Sequence, residues 1–375
     1  MSFDRIGGAR ARGGRLLLFS MKPHIHVILF SIGALLGAAS PANAQPDASG
    51  QPYRIVRTAR VGGPGGWDYV LADAEARRLY VPRGDRITVF DLDTLALVST
   101  IPGANSVHGV AIDPASHHAF SSSRPLLMWD SRTLAAVKTI AVQGSPDGIL
   151  FEPATERIFV FSHRAPNVTV VDAVGGALVG TIDIGGAPEQ AASDGRGRVY
   201  IDVEDKDEVA VVDVHALRVT ARYGLGGKGG GPGALALDAQ NHILFSYCHD
   251  PAVAVVLDAD DGRILATLPI GKGVDSAEFN PATREAFSSQ GDGTLTVIKE
   301  EGPARFMVEQ TVATRAGART SALDARTGHV FLVTADRKPA PPQAPGAAGS
   351  AAQPAPRWGR VPMVPGSFTI LEVGK

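Results

Sequence analysis

The chain has 375 residues, of which 44% are hydrophobic and 20% are charged, a composition that excludes an intrinsically disordered protein. Its formal net charge of −2 provides no broad basic surface for a phosphate backbone, so nucleic-acid binding is disfavoured. The single cysteine, Cys248, cannot form an internal disulfide. The 43 glycines and 26 prolines favour many short elements joined by turns.

Residues 1–44 have the pattern of a secretory signal peptide with a possible upstream extension. After Met21 come the basic residue Lys22, an apolar stretch over 27–39, and the small-residue sequence Ala42-Asn43-Ala44. This order predicts cleavage after Ala44 and a periplasmic or secreted protein. The apolar stretch is short for a bilayer span, so we expect no transmembrane segment in the mature chain. Whether translation starts at Met1 or at Met21 stays open.

Seven copies of a pattern of about 40 residues follow. In each copy the first apolar run ends on an acidic or amide residue, which we call the repeat acid: Asp73, Asp113, Glu152, Asp194, Asp238, Asn280 and Asp324. Each copy contains up to four valine-rich runs bounded by Gly, Pro or Asp, which predict strands. Four strands in about 40 residues are typical of a propeller blade, so the sequence predicts an all-β, seven-bladed β-propeller.

The seventh copy lacks its fourth strand. The segment "YRIVRTARVGG", Tyr53–Gly63, reads like the fourth strands of the other copies, so we predict that it completes the last blade and closes the ring. Residues 45–375 would then form a single domain, expected to be a monomer. A Pro/Ala-rich insert, 338–366, interrupts the last copy and predicts irregular structure. A solvated loop and a lid or docking arm are both compatible with its composition.

The repeat consensus VDxxxxxVxxTIxxGxxPxxxxxxPxxxxxYV resembles that of the YVTN-type, YncE-like seven-bladed propellers of bacteria, over nearly the whole predicted mature chain. The resemblance implies the fold and says little about function, because some members are reported to bind nucleic acid or to act at the cell surface. Propellers of similar architecture hold haem or copper. This sequence has no Cys-x-x-Cys-His motif, which excludes covalent haem, and no paired channel histidines for a copper cluster.

One position recurs five residues before each repeat acid, at the start of the innermost strand. These seven residues should surround one mouth of the central channel, and we call them the channel-mouth ring: Asp68, His108, Asp147, Glu189, Gly233, Asp275 and Arg319. Gly233 leaves a gap in the ring. Arg319 follows Asp275 and precedes Asp68 around the circle, where it is expected to neutralise Asp68 or to hold a carboxylate or phosphate of a substrate.

Loops after the second strands should open on the same face of the propeller. They contribute His163, Glu204 and His249, each nine residues before the acid that ends the third strand. Trp67 precedes Asp68 and could stack on a ligand. Asp147, Glu189, Asp275 and His108 are candidate ligands of a divalent cation, the one cofactor that these side chains suggest.

The same residues also have a purely structural interpretation, because Asp is a good turn former and a wet channel tolerates charge. If the ring is functional, the sequence leaves three classes open. The first is a binding or scaffold protein for a small molecule or an envelope protein. The second is a metal-assisted or acid/base hydrolase or lyase, and the third is a nucleic-acid-binding protein. The sequence alone does not decide whether any catalysis occurs.

Overall fold

A computed structural model of the protein describes residues 52–338 and 362–375. They lie within one compact unit, Ala48–Lys375. Apart from a short 3-10 turn at Glu204–Lys206, the regular structure of these residues is β. No helix in these two ranges has the length and apolar character needed to cross a membrane. The predicted signal peptide, 1–44, lies outside the described residues.

The strands form seven four-stranded antiparallel sheets, which confirms the predicted seven-bladed propeller. Blade 1 contains β2 Leu71–Asp73, β3 Arg78–Pro82, β4 Gly84–Asp91 and β5 Leu97–Val107. Blade 2 contains β6 Val110–Asp113, β7 His118–Ser121, β8 Leu126–Asp130 and β9 Ala136–Ile140. Blade 3 contains β10 Pro146–Glu152, β11 Arg157–Ser162, β12 Val168–Asp172 and β13 Leu178–Ile182.

Blades 4 to 6 repeat this order. Blade 4 contains β14 Pro188–Ser193, β15 Arg198–Val203, β16 Glu208–Asp213 and β17 Arg218–Gly224. Blade 5 contains β18 Pro232–Asp238, β19 Ile243–Cys248, β20 Val253–Asp258 and β21 Ile264–Pro269. Blade 6 contains β22 Val274–Asn280, β23 Glu285–Gln290, β24 Thr294–Gly302 and β25 Arg305–Ala313. Blade 7 contains β26 Thr320–Asp324, β27 His329–Thr334, β28 Thr369–Gly374 and the N-terminal strand β1 Arg54–Arg60.

The repeat acids stabilise the turns that leave the innermost strands. The carboxylate of Asp73 accepts a hydrogen bond from the backbone N–H of Ala76 at 2.9 Å, and Glu152 accepts one from Thr155 at the same distance. This is the local bonding that makes acidic residues good turn formers. The repeat acids therefore lie at the ends of the innermost strands that are remote from the channel-mouth ring.

The core is divided among the junctions between blades. Seven clusters of buried apolar side chains are present, each formed by two neighbouring blades. Trp129 of blade 2 is fully buried against blade 1, with its ring centre 6.3 Å from that of Tyr80. Burial of one such aromatic side chain contributes about 1.5–3 kcal/mol. Because each blade packs mainly on its neighbours, stability depends on the ring being complete.

The predicted closure of the ring by the N-terminal segment is confirmed. Strand β1 pairs antiparallel with β28, from Arg54 opposite Gly374 to Arg60 opposite Thr369. The closing segment also reaches blade 6, because the Tyr53 hydroxyl donates to Glu285 Oε2 at 2.6 Å. Burial would raise the pKa of Glu285, but hydrogen bonds from Lys375 and Tyr53 lower it from 4.5 to about 2. This carboxylate therefore stays ionised and ties the start of the closing segment and the C-terminal Lys375 to blade 6.

The Pro/Ala-rich segment lies in the chain between β27 and β28 of blade 7. Residues 339–361 of it lie outside the described residues. Its two ends pair with each other: Arg337 and Met363 form an antiparallel bridge, and the Lys338 N–H donates to the Pro362 carbonyl at 3.0 Å. Met363 also packs on the apolar cluster between blades 7 and 1. A single isolated bridge thus joins the chain on either side of residues 339–361, and the prediction of irregular structure for those residues falls outside the described part of the chain.

We predict that a truncated chain beginning at Gly62, which lacks β1, loses stability throughout the propeller. Loss of β1 leaves one edge of β28 unpaired and exposes apolar side chains of blades 6 and 7. Thermal melting and size-exclusion chromatography should show a lower melting temperature in one transition, together with self-association. A chain beginning at Pro52, which keeps the strand, is the matched control. Unchanged melting of a monomeric Gly62 truncation would contradict this closure role.

Candidate functional site at the channel mouth

The innermost strands of the blades surround a central channel. A cavity of about 340 Å³ lies inside it, lined by residues of the innermost strands of blades 1, 2, 3, 4, 6 and 7. The residues of the channel-mouth ring lie at or just before the start of these strands. Side chains that are about 40 residues apart in sequence are thus brought to one opening. The sevenfold repeat explains this, because it places one ring residue at or just before the start of the innermost strand in each blade.

The first half of the ring is held together by an imidazole between two carboxylates. His108 Nδ1 lies 2.8 Å from Asp68 Oδ2, a hydrogen-bond distance. The same nitrogen lies 3.3 Å from Asp147 Oδ1. The His108 side chain is about 40% exposed, so the group remains open to solvent and to a ligand.

His163, from the loop after β11, continues this arrangement. Its Nε2 lies 2.9 Å from Glu189 Oε1 and 3.6 Å from Asp147 Oδ2. Four ring positions and one candidate from a second-strand loop therefore meet in one alternating series of carboxylates and imidazoles. We call it the histidine–carboxylate arc: Asp68, His108, Asp147, His163 and Glu189.

The environment of the arc shifts the pKa values of its members. The hydrogen bond to Asp68 raises the pKa of His108, and the hydrogen bond to Glu189 raises that of His163 to about 9. Burial raises the pKa of the Asp147 and Glu189 carboxyl groups. Partial burial thus disfavours negative charge on these carboxyl groups, and the carboxylates in turn favour the protonated form of the neighbouring imidazoles.

Arg319 pairs with Asp275 rather than with Asp68. Its Nη1 donates to Asp275 Oδ1 at 2.8 Å. The expectation that Arg319 neutralises Asp68 is therefore wrong, since Asp68 is already bonded to His108. The other oxygen of Asp275, Oδ2, is buried without a hydrogen-bond partner. Burial raises the pKa of Asp275 well above its ordinary value.

The gap that Gly233 leaves in the ring is occupied by His249. A Cβ atom on Gly233 would lie only 2.6 Å from His249 Nε2, so the glycine is required for the imidazole to fit. Burial lowers the pKa of His249, which favours the neutral imidazole. Glu204, in the 3-10 turn of blade 4, is partly exposed, and its charge acts to raise the pKa of both His163 and His249.

Tyr69 is a member of the site that sequence reasoning missed. Its hydroxyl donates to Glu189 Oε2 at 3.1 Å, so its side chain reaches from blade 1 to blade 4. Burial raises the pKa of Tyr69 well above its ordinary value, which keeps the hydroxyl protonated. The repeat gave no clear signal for Tyr69. The equivalent positions in the next two blades are Gly109 and Gly148, and the neighbouring side chains there are Ile149 and Phe161.

Trp67 has a different environment from that of the charged residues. Its ring packs on Phe368 at a centroid distance of 5.3 Å, and the Arg337 guanidinium lies 5.1 Å from its ring centre. It belongs to the apolar boundary between blades 7 and 1. The contacts explain Trp67 as packing beside the ring and as an anchor for the first end of the insert.

The arc contains two groups of residues that can supply metal ligands. Within each group the ligand atoms lie within 4.8 Å of one another: Asp68, His108 and Asp147 in one, and Asp147, His163 and Glu189 in the other. Metal–ligand bonds of about 2.0–2.2 Å require only small movements of these side chains. Mixed imidazole and carboxylate ligands suit Zn²⁺ or Mn²⁺ better than Ca²⁺. In the described part of the chain, both groups of this kind belong to the arc.

A larger cavity, of about 620 Å³, opens on the opposite face of the propeller. Apolar side chains of the innermost strands line much of it, including Ile112, Ile149 and Phe151. His117 and Arg132 also border it. It lacks the converging carboxylate–imidazole contacts of the channel mouth, so the channel mouth is the better-supported functional site.

Comparison with known proteins supports the fold and no closer relationship. No family model matches the chain, and no curated protein matches it significantly. The WD40 repeats of RRP9 match with a TM-score of 0.67 at 14% identity, over 86% of this chain and 97% of that chain. The structure of U3-55K matches with a TM-score of 0.65 at 14% identity, over 85% and 98%. A chain in the structure of the mitotic checkpoint complex matches with a TM-score of 0.65 at 13% identity, over 82% of this chain and 95% of that chain. The chain is therefore similar to WD40-like seven-bladed propellers.

Proposed function

We propose that this propeller is a binding protein that holds a divalent transition-metal cation in the histidine–carboxylate arc and presents it to a ligand at the channel mouth. The observation that carries the proposal is the placement of His108 and His163 on either side of Asp147, with Asp68 and Glu189 beyond them. Partly exposed imidazoles that alternate with carboxylates offer both nitrogen and oxygen ligands.

The charge of the site supports a cation. The carboxylates of Asp147 and Glu189 are largely removed from water, and each raises the pKa of a neighbouring imidazole or carboxyl group. A divalent cation among them would offset their mutual repulsion more strongly than protons on the imidazoles do. It would also leave an accessible side toward solvent, because both histidines are about 40% exposed.

A metal-assisted hydrolase or lyase is the second candidate function. The specific observation that favours it is His249, whose lowered pKa makes it a neutral base beside the ring. In such an enzyme the cation would activate water or polarise the substrate, and His249 would accept a proton. A screen of hydrolase and lyase substrates with the metal-loaded protein would separate this candidate from simple binding.

We also propose, from the sequence pattern, that the protein is exported and acts in the bacterial envelope, as the resemblance to YncE-like propellers implies. Its ligand would be a small molecule or a protein of that compartment. Protein partners are compatible with the fold, since one similar chain belongs to a mitotic checkpoint complex. Nucleic-acid binding is supported only by the family resemblance. The carboxylates at the channel mouth would repel a phosphate backbone.

We predict that chelator-stripped protein binds Zn²⁺ or Mn²⁺ in preference to Ca²⁺ or Mg²⁺. Substitution His108→Gln should weaken that binding at least about tenfold, because an amide replaces a nitrogen ligand. Isothermal titration calorimetry gives both affinities. His215→Gln, at an exposed histidine on the opposite face, is the matched control and should bind like the wild type. If no divalent cation binds the wild-type protein, the proposed function is wrong.

We predict that cation affinity rises with pH between about pH 6 and pH 8. The pKa of His163 in the metal-free protein is about 9, so its imidazole is protonated over this whole range. A cation must displace that proton, and displacement becomes easier as the proton concentration falls. The affinity should increase about tenfold per pH unit for each proton displaced. Calorimetry in buffers of different ionisation enthalpy would measure the protons released, and pH-independent binding would exclude ligation by His163.

We predict that the exported protein begins at Gln45, because Ala42 and Ala44 satisfy the small-residue rule for signal peptide cleavage. Mass spectrometry of the protein from periplasmic and culture fractions would identify its N-terminus. Substitution Ala44→Arg should block processing. Recovery of the unprocessed wild-type chain from the cytoplasm alone would contradict export.

A further inference from the structure

The two groups of candidate ligands share one residue, and they use different atoms of it. Asp147 Oδ1 lies 3.3 Å from His108 Nδ1, whereas Asp147 Oδ2 lies 3.6 Å from His163 Nε2. One oxygen therefore faces each imidazole. This is the arrangement that a carboxylate needs in order to bridge two cations, each bound through one oxygen.

The remaining ligands are distributed evenly on the two sides. Asp68 and His108 belong to one group alone, and His163 and Glu189 belong to the other alone. Each group thus has one imidazole and one carboxylate of its own, in addition to the shared carboxylate. A single central cation would leave one of these pairs unused. In two-metal sites the cations lie about 3.5–4 Å apart, a separation that one bridging carboxylate spans.

The charges decide which ligand such a site would attract. With ionised carboxylates and neutral imidazoles, the arc holds three negative charges from Asp68, Asp147 and Glu189. One divalent cation leaves a net charge of about −1, which repels anions, whereas two leave about +1, which attracts them. The neighbouring Arg319 guanidinium pairs with Asp275 through Nη1 and can still donate hydrogen bonds to an oxyanion.

We propose that the histidine–carboxylate arc is a two-cation centre bridged by Asp147, and that its ligand is a phosphate, either inorganic or as a monoester, bound across both cations. This inference rests on the proposed function. A tetrahedral oxyanion supplies two oxygens at a spacing that suits two adjacent cations. The Arg319 guanidinium, whose charge acts on Asp147, gives Nη1 to Asp275 and keeps further N–H groups that can donate to an oxyanion. Phosphate binding requires the second cation, because the site with one cation carries a net negative charge.

The first experiment measures metal content. The full chain is stripped with chelator, reloaded with Mn²⁺ and analysed by elemental mass spectrometry and electron paramagnetic resonance. We expect two Mn²⁺ per chain with a spin-coupled spectrum. Asp68→Asn and Glu189→Gln should each retain one Mn²⁺, and Asp147→Asn should abolish the spin coupling. Asp260→Asn, which alters a carboxylate–histidine pair on the opposite face, is the matched control and should keep two coupled ions.

The second experiment titrates inorganic phosphate, and then a phosphate monoester, into protein holding no, one or two equivalents of Mn²⁺. We expect at least tenfold tighter phosphate binding with two equivalents than with one. Absence of any bound cation would overturn the proposed function and this inference together. One cation per wild-type chain, or two without spin coupling, would overturn the bridged centre and leave the proposed function standing. Two coupled cations without phosphate binding would overturn the ligand class.

Discussion

The structure depends on the closure of the ring by β1. Each blade is a small sheet with two apolar faces, and it becomes stable only when both faces pack on neighbours. An open array would leave one face of the first blade and one of the last exposed to water. Pairing of β1 with β28 removes both exposed faces, and the Tyr53–Glu285 hydrogen bond fastens the closing segment to blade 6. The sheet edges that remain are the short outer strands of the blades.

The closed ring creates an electrostatic problem at the channel mouth. It brings four carboxylates around one opening, and two unit charges 4 Å apart repel by about 4 kcal/mol at the dielectric typical of a protein surface. The protein interleaves positive groups: His108 and His163 separate Asp68, Asp147 and Glu189, and Arg319 pairs with Asp275. Protons and metal cations compete for the same nitrogen and oxygen atoms, so the contacts that offset the repulsion between these carboxylates are also the basis of the proposed cation site.

The arc lies at the mouth of the channel, on the face that carries the channel-mouth ring. Tyr69 spans the channel there from blade 1 to blade 4, where its hydroxyl donates to Glu189 Oε2. The ends of the Pro/Ala-rich insert lie on this same side of blade 7, where Arg337 contacts Trp67 and Met363 packs beside it. The two ends of the insert thus lie beside the channel-mouth ring. Residues 339–361 are outside the described part of the chain.

The sequence alone determined the architecture, because a repeat of about 40 residues with four strands is the signature of a propeller blade, and the N-terminal strand matches the one missing element. It also predicted the seven ring positions, from their equal register in each copy. The tertiary structure decided how the side chains pair: Arg319 turns to Asp275, His249 fills the space over Gly233, and Tyr69 crosses to Glu189. These choices depend on side-chain directions and on the reach of loops from different strands. Such distances between residues far apart in sequence are absent from any local pattern.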